Sequence, residues 1–412
     1  MNVLLITSLL AFPDSDHGKI WGGTTAIGNL MKYWTQEHNV LCIREAVVFD
    51  IKKCFKRRFD KMRGKKNPLE DVPEKYILDG IVTYPVIWEY THLFQLTGGY
   101  FNHYMDRKIN RILEETHFMP DVIISHMPSS SAAYYIRRIK ANVPKVAVLH
   151  LADIDYLAAE IGVIHGRAFS KMRIKALDNA FDCVYTRSRA IYDKAKSLGL
   201  KKLSDSIVMS GIQRLVPAAE REWEKFALGS VKVKILYAGV LIEQKGIQKV
   251  LKAMALLNHR FQYEFWIVGA GEYEKELREL VMSLNLTEDV FFLGWKSRQE
   301  VMQYMQEAEI FIMPSYHETL GLVYLEAMSM GCITIGSKKE GIDGIIVDGQ
   351  NGFLVDPYDE KDIAKTINRI VNLNREELKR ISDNAMDIAN THSEEKMSEH
   401  YLNLIRKAMT DI

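Results

Sequence analysis

The sequence predicts an α/β chain made of two doubly wound, Rossmann-like domains. Short apolar runs rich in β-branched residues alternate with longer segments of helical spacing, the pattern of parallel strands covered on both faces. The alternation stops at a polar stretch, Pro217–Ser230 (PAAEREWEKFALGS), and then starts again. The chain has 412 residues, 47% apolar and 26% charged, which suits two or three globular domains and excludes disorder or collagen-like repeats.

In the first half the strands are expected at Asn2–Thr7, Asn39–Arg44, Gly80–Val86, Asp121–His126, Lys145–Leu151, Phe181–Thr186 and Ser206–Ser210. In the second they are expected at Val231–Ala238, Tyr263–Val268, Asp289–Leu293, Glu309–Met313 and Cys332–Ile335. The domains are thus residues 1–215 and 216–392, with a closing helix at 393–412 packing back on the first through Leu402, Ile405 and Met409. In open α/β sheets ligands bind outside the carboxyl ends of the strands, so two such domains are expected to face each other across one shared cleft.

Cys42, Cys54, Cys183 and Cys332 are scattered with no Cys-x-x-Cys pair, which favours reduced thiols in a cytosolic chain over disulfides or a zinc site. No apolar run approaches the roughly 18–20 residues of a membrane span. Met1–Phe12 has no positive residues before its apolar run and no small-residue cleavage site after it, so a strand is expected there instead of a signal peptide.

The net charge of +1 conceals a division. Residues 1–215 carry 31 Lys+Arg and 22 Asp+Glu, giving +9; residues 216–412 carry 23 and 31, giving −8. Lys52–Lys66 (KKCFKRRFDKMRGKK) holds nine basic residues, with Phe55, Phe59 and Met62 on one helical face. That pattern suits an anionic membrane surface, and a solvated loop is the plain alternative. Tyr100–Arg111 is a second aromatic and basic stretch that would join it. With no stacking platform or nucleic-acid motif beside it, nucleic acid is not expected as a partner.

The stretch richest in chemistry is Phe311–Gly331 (FIMPSYHETLGLVYLEAMSMG). A strand ends near Pro314, a loop carries Tyr316, His317 and Glu318, and a helix begins near Gly321–Leu322, whose unpaired amides suit a phosphate. Glu318 precedes the helix and Glu326 sits one turn inside it. Carboxylates beside a phosphate site are explained by sugar hydroxyls, which donate hydrogen bonds to them. The plain alternative is a capping Glu318 and a solvent-facing Glu326.

From Glu318 to Glu326 the segment resembles the Glu-x7-Glu motif of family 4 glycosyltransferases, retaining enzymes of the two-domain GT-B fold that use nucleotide sugars. Ile235–Gly246 (ILYAGVLIEQKG) is similar to the opening of that family's donor domain, Trp266–Glu272 (WIVGAGE) to its next strand and turn, Val290–Gly294 (VFFLG) to the strand after that, and Gly341–Pro357 (GIDGIIVDGQNGFLVDP) to its closing turns. Gly22–Gly23 resembles the acceptor domain's glycine loop. The resemblance is strong over residues 235–357 and thin over 1–215.

Carried onto these positions, the resemblance implies that Glu318 holds the transferred sugar's hydroxyls and Glu326 the ribose. Lys245 binds the diphosphate, a role that suits a point charge. Gly22, Gly23, Gly239, Gly269, Gly294, Gly321 and Leu322 line the donor site. His150, at the end of KVAVLH, resembles a histidine placed near the transferred sugar; a structural role is the alternative. The family usually has an arginine five residues before the lysine, where this chain has Val240.

Asp153-Ile-Asp155 and Asp14-Ser-Asp16 spell a metal-binding triplet of another glycosyltransferase fold, but a lysine and helix amides can neutralise a diphosphate here. No metal and no cofactor beyond the donor substrate are expected. Gly269-Ala270-Gly271 imitates a dinucleotide fingerprint, with Glu274 where the third glycine belongs, which argues against a nicotinamide enzyme.

The function implied is transfer of a hexose-type sugar from a nucleoside diphosphate donor, with uridine the commonest base in the family, to a saccharide or lipid-linked acceptor in polysaccharide or glycan biosynthesis. The enzyme would be cytoplasmic and peripheral at the inner membrane face. The alternatives are an epimerase or phosphorylase of the same fold, or a catalytically weak protein that binds nucleotide sugar or membrane.

Overall fold

The computed structural model describes residues 1–8, 27–28, 30, 32–48, 73–78, 80–89, 98–128, 132–159, 166–213, 223, 232–257 and 261–411. Gly22, Gly23, Asp14, Asp16, Cys54, the Lys52–Lys66 segment and all of Pro217–Ser230 except Trp223 lie outside them. The chain divides into two compact units. One comprises Met1–Arg187, Ile191–Ser210 and Met397–Ile412; the other comprises Ser188–Ala190 and Gly211–Lys396.

The first unit contains β1 (Asn2–Thr7), β2 (Asn39–Val48), β3 (Tyr76–Leu78), β4 (Ile81–Glu89), α1 (Gly98–Thr116), β5 (Val122–His126), α2 (Ala132–Tyr135), β6 (Lys145–Leu149), α3 (Leu151–Leu157), α4 (Arg167–Ala180), β7 (Cys183–Thr186), most of α5 (Arg189–Ser197) and β8 (Leu203–Ile207). Its sheet runs β3-β4-β2-β1-β5-β6-β7-β8, parallel except for the β3–β4 pair. Along β1, Leu4 and Ile6 enter one core while Val3 and Leu5 enter the other, because alternate side chains leave opposite faces of a sheet covered on both sides.

The second unit contains β9 (Val233–Ala238), α6 (Ile247–Leu256), β10 (Tyr263–Val268), α7 (Glu274–Ser283), β11 (Val290–Gly294), α8 (Arg298–Glu307), β12 (Ile310–Ile312), α9 (Leu322–Ser329), β13 (Ile333–Ser337), β14 (Phe353–Val355), α10 (Glu360–Val371) and α11 (Arg375–Thr391). Its parallel sheet runs β11-β10-β9-β12-β13-β14. The winding reverses between β9 and β12, as it does between β1 and β5 in the first sheet.

The last helix, α12 (Glu394–Thr410), returns to the first unit from Met397 onward. Tyr401, Leu402, Leu404, Ile405 and Ala408 join the core of Val3, Leu5 and Trp34, each large apolar side chain contributing about 1.5–3 kcal/mol by its burial. The Trp34 indole donates to the Ser398 carbonyl at 3.5 Å, and the Ser398 hydroxyl donates to the Leu30 carbonyl at 3.1 Å.

Several boundaries differ from the sequence reading. The strand expected at Ser206–Ser210 is displaced to Leu203–Ile207, since LSDSI carries little of the apolar alternation that marks a strand. β3 and β14 have three residues each, too short for a period-2 signal. Among the described residues Cys42, Cys183 and Cys332 form no disulfide, and burial pushes the Cys42 thiol up to about 12.

Candidate functional site

In the second unit the reversal of winding brings the carboxyl ends of β9 and β12 side by side, the position where doubly wound sheets bind ligands. The loop after β9 ends in a single helical turn, Glu243–Lys245, before α6; the loop after β12 carries Glu318 and leads into α9. The Tyr316 amide donates to the Gln244 carbonyl at 2.9 Å and ties the two loops together. Lys245 Nζ then donates to Glu318 Oε2 at 2.5 Å, with the side chains 24% and 15% exposed.

Glu318 is held from behind as well. Its amide donates to Glu340 Oε2 at 2.9 Å, and its carbonyl accepts from the Gly341 amide at 3.2 Å. The preceding His317 is exposed and has φ 61, an unusual conformation for a residue with a Cβ. α9 opens with no side-chain cap and no acidic residue in its first turn. Gly321, its N-cap, has φ 75, and a Cβ there would stand 2.5 Å from the Tyr324 ring. Tyr324 is buried and donates to the Met313 carbonyl at 2.5 Å, fixing the end of β12.

Glu326 lies one turn into α9, partly buried, and Arg298 at the start of α8 reaches it at 2.9 Å. Burial raises the Glu326 carboxyl above its ordinary range, and the Arg298 charge opposes that rise. The solvent-facing alternative for Glu326 is therefore not what the fold adopts. Arg298 escaped the sequence reading because the pair joins two helices; only the Ser297-x-x-Glu300 capping box marked where α8 begins.

Of the second unit's glycines assigned to the donor, Gly239 and Gly269 directly follow β9 and β10, Gly294 ends β11, and Gly321 precedes α9. Gly269 has φ 142, and a Cβ on it would fall 1.8 Å from the Gly239 carbonyl oxygen. The Gly239 amide donates to Val268 at 3.0 Å, and the Gly269 amide to Gly294 at 2.9 Å. These three glycines thus hold adjacent loop backbones in contact along the carboxyl edge of the sheet. Val240 is 56% exposed, and Trp295, directly after β11, is 74% exposed.

His150 belongs to the first unit, immediately after β6 and before α3. Asp153 accepts from its amide at 2.8 Å. Its Nε2 meets His126 Nδ1 at 3.1 Å, and His126 Nε2 meets the Tyr401 hydroxyl at 3.1 Å, so one ring nitrogen of His150 is occupied within the fold. Burial pushes both imidazoles well below their ordinary range, and the Arg187 charge adds to this.

Among the described residues no group of three or more His, Cys, Asp and Glu side chains is arranged to hold a metal, and no helix is long and apolar enough to cross a membrane.

Residues 220–387 match the family described as Glycosyl transferases group 1. The chain is 27% identical over 225 residues to the lipopolysaccharide core biosynthesis glycosyltransferase LpsE of Rhizobium meliloti, covering 54% of this chain. The match spans 64% of LpsE, just under two thirds of its length. Among solved structures, HepE of Anabaena in complex with UDP and glucose has TM-score 0.66 and 18% identity, covering 99% of this chain and 100% of that one. Sucrose-phosphate synthase from Thermosynechococcus elongatus has TM-score 0.70 and 18% identity, covering 100% of both chains. At these identities the structures establish the fold, which is GT-B. The family match and LpsE show that this chain is similar to group 1 glycosyltransferases.

Proposed function

We propose that the protein is a retaining, metal-independent hexosyltransferase that moves a sugar from a nucleoside diphosphate donor, a UDP-sugar, to a saccharide or lipid-linked acceptor. The observation that carries this reading is the Lys245–Glu318 pair beside the uncapped start of α9. A diphosphate arriving there competes for Lys245 and releases Glu318 to accept hydrogen bonds from sugar hydroxyls. As the bond from sugar to diphosphate breaks, Lys245 and the α9 amides stabilise the charge that develops on the leaving oxygens. Glu326, oriented by Arg298, takes the ribose. The acceptor hydroxyl attacks on the face the diphosphate leaves and gives its proton to a departing diphosphate oxygen, so no protein nucleophile is needed and the contribution of the chain is orientation and charge. The UDP and glucose bound to HepE support a uridine donor.

The basic excess of residues 1–215, concentrated in Lys52–Lys66, supports an acceptor at an anionic membrane surface. Sedimentation with anionic vesicles at low salt is the expected result; equal sedimentation with neutral vesicles contradicts this part.

The test of the reading is Glu318→Gln, assayed with UDP-sugars and a membrane extract as acceptor. Turnover is expected to fall roughly 10²–10³-fold while UDP binding persists. Unchanged turnover rejects the assignment. The exposed Val240, where the family has a cation, favours a second reading: a nucleotide-sugar-binding protein with little activity. That reading predicts binding without turnover in the wild type, with or without the extract.

A further inference from the structure

Three residues at the carboxyl edge of the first sheet form a cluster that donor binding in the second unit does not use. His126 ends β5, His150 follows β6 and Arg187 follows β7, three adjacent strands beginning at the reversal of winding. Arg187 is 2% exposed, and its Nη2 donates to the Ser210 hydroxyl. Among the described residues its Nε and Nη1 have no hydrogen-bond partner. Among the described residues no carboxylate forms an ion pair with it, and the groups its charge acts on are His126, His150 and Tyr401. Burial lowers the guanidinium to about 10, so it remains a cation at neutral pH.

A buried cation with two unpartnered nitrogens and no counter-charge among the described residues is an unfavourable arrangement that calls for a physical reason. The neighbouring imidazoles do not relieve it, because both are neutral and tied to one another and to Tyr401. Asp153, the buried carboxylate on α3, is directed to the His150 amide. A phosphate or carboxylate group supplies what is missing: negative charge and acceptor oxygens for a planar guanidinium. The edge of the sheet where Arg187 sits is the edge at which such folds take ligands.

We infer that Arg187 anchors an oxyanion-binding subsite in the first unit, with His150 beside it, that takes a phosphate or carboxylate group of the acceptor substrate. Assigning the oxyanion to an acceptor rests on the glycosyl-transfer reading above; the subsite itself rests on the Arg187 cluster.

The test follows the melting temperature of the full chain as sodium phosphate or sodium acetate replaces sodium chloride at constant ionic strength. The wild type is expected to show a saturable rise with at least one of the two. Phosphate alone indicates a phosphorylated acceptor, and acetate alone an acid sugar or other carboxylate. The rise is expected to vanish in Arg187→Met and to persist in Lys245→Ala, whose donor site is the one impaired. If Arg187→Met does not fold, Arg187→Lys keeps the charge without the planar fork, and its half-saturating concentration should increase about tenfold or more. No saturable rise in the wild type overturns the inference, as does a rise unaffected in the Arg187 variants or lost in Lys245→Ala. UDP titrated into the same samples reports separately on the second unit, so absence of the rise in the wild type with UDP binding intact counts against the subsite alone.

Discussion

Lys245 and Glu318 close a 2.5 Å ion pair across the reversal of winding in the second sheet, each at the end of a loop leaving a different strand. Seventy-three residues separate them in sequence, and the neighbouring strands β9 and β12 bring them together. The pair holds both side chains oriented at the carboxyl edge of the sheet, and on the reading proposed above a diphosphate and a sugar exchange into these contacts. A preformed pair of this kind reduces the cost of ordering two flexible side chains at the moment of binding.

Arg298→Ala leaves the Glu326 carboxylate partly buried without its cation, at an expected cost of about 1–3 kcal/mol in stability. Because burial already holds the Glu326 pKa above its unfolded value, folding favours the protonated form. That contribution is complete below the unfolded value and is lost as pH rises through the folded one. Removing Arg298 raises the folded value further, so the gap between variant and wild type should be small near pH 4 and widen toward neutrality. Denaturant titrations across that range check this, and Glu326→Gln in the Arg298→Ala background should narrow the gap.

His126 and His150 have folded pKa values well below the unfolded value of about 6.5. The stability they contribute is present above that value and is lost as pH falls below it, because unfolding then takes up protons that the native rings refuse. Each should steepen the acid limb of stability by about 1.4 kcal/mol per pH unit. His126→Gln should remove about one proton from the uptake measured on unfolding at pH 5–6. An unchanged proton count would mean that His126 is already charged in the native state.

Gly269→Ala places a methyl group 1.8 Å from the Gly239 carbonyl oxygen at φ 142, and no flexible side chain is there to yield. Local strain of about 1–3 kcal/mol is expected from the backbone conformation alone, and the overlap adds to it. The second unit should therefore melt earlier than in the wild type. Gly294→Ala, with open space around its Cβ and φ 72, should cost clearly less.

Much of the fold could be read in advance because parallel strands buried on both faces are nearly continuous apolar runs, as in VLLIT and YEFWIV. The three-residue β3 and β14 and the polar LSDSI carried no such signal. In the second unit it was the family resemblance that pointed to Glu318, Glu326 and Lys245, since local motifs set their loops. Arg298, Glu340, His126 and Arg187 were not legible, because each acts through a contact between elements distant in sequence. Arg187 lay inside YTRS, where nothing in the local pattern distinguishes a buried cation from a surface one. The glycines were legible as Gly-rich turns, but the structure gives Gly239 and Gly269 a packing reason that suffices without a ligand.

If Lys245 and Glu318 form a donor site, calorimetric titration of UDP reads it out at once. Lys245→Ala should weaken UDP by about 1.5–3 kcal/mol, a loss of roughly tenfold to a hundredfold, as expected for one charge-assisted contact to a phosphate. Glu318→Gln should bind UDP as tightly as the wild type or more so, because Lys245 is then released from its ion pair. Equal UDP affinity in the wild type and Lys245→Ala would contradict the account.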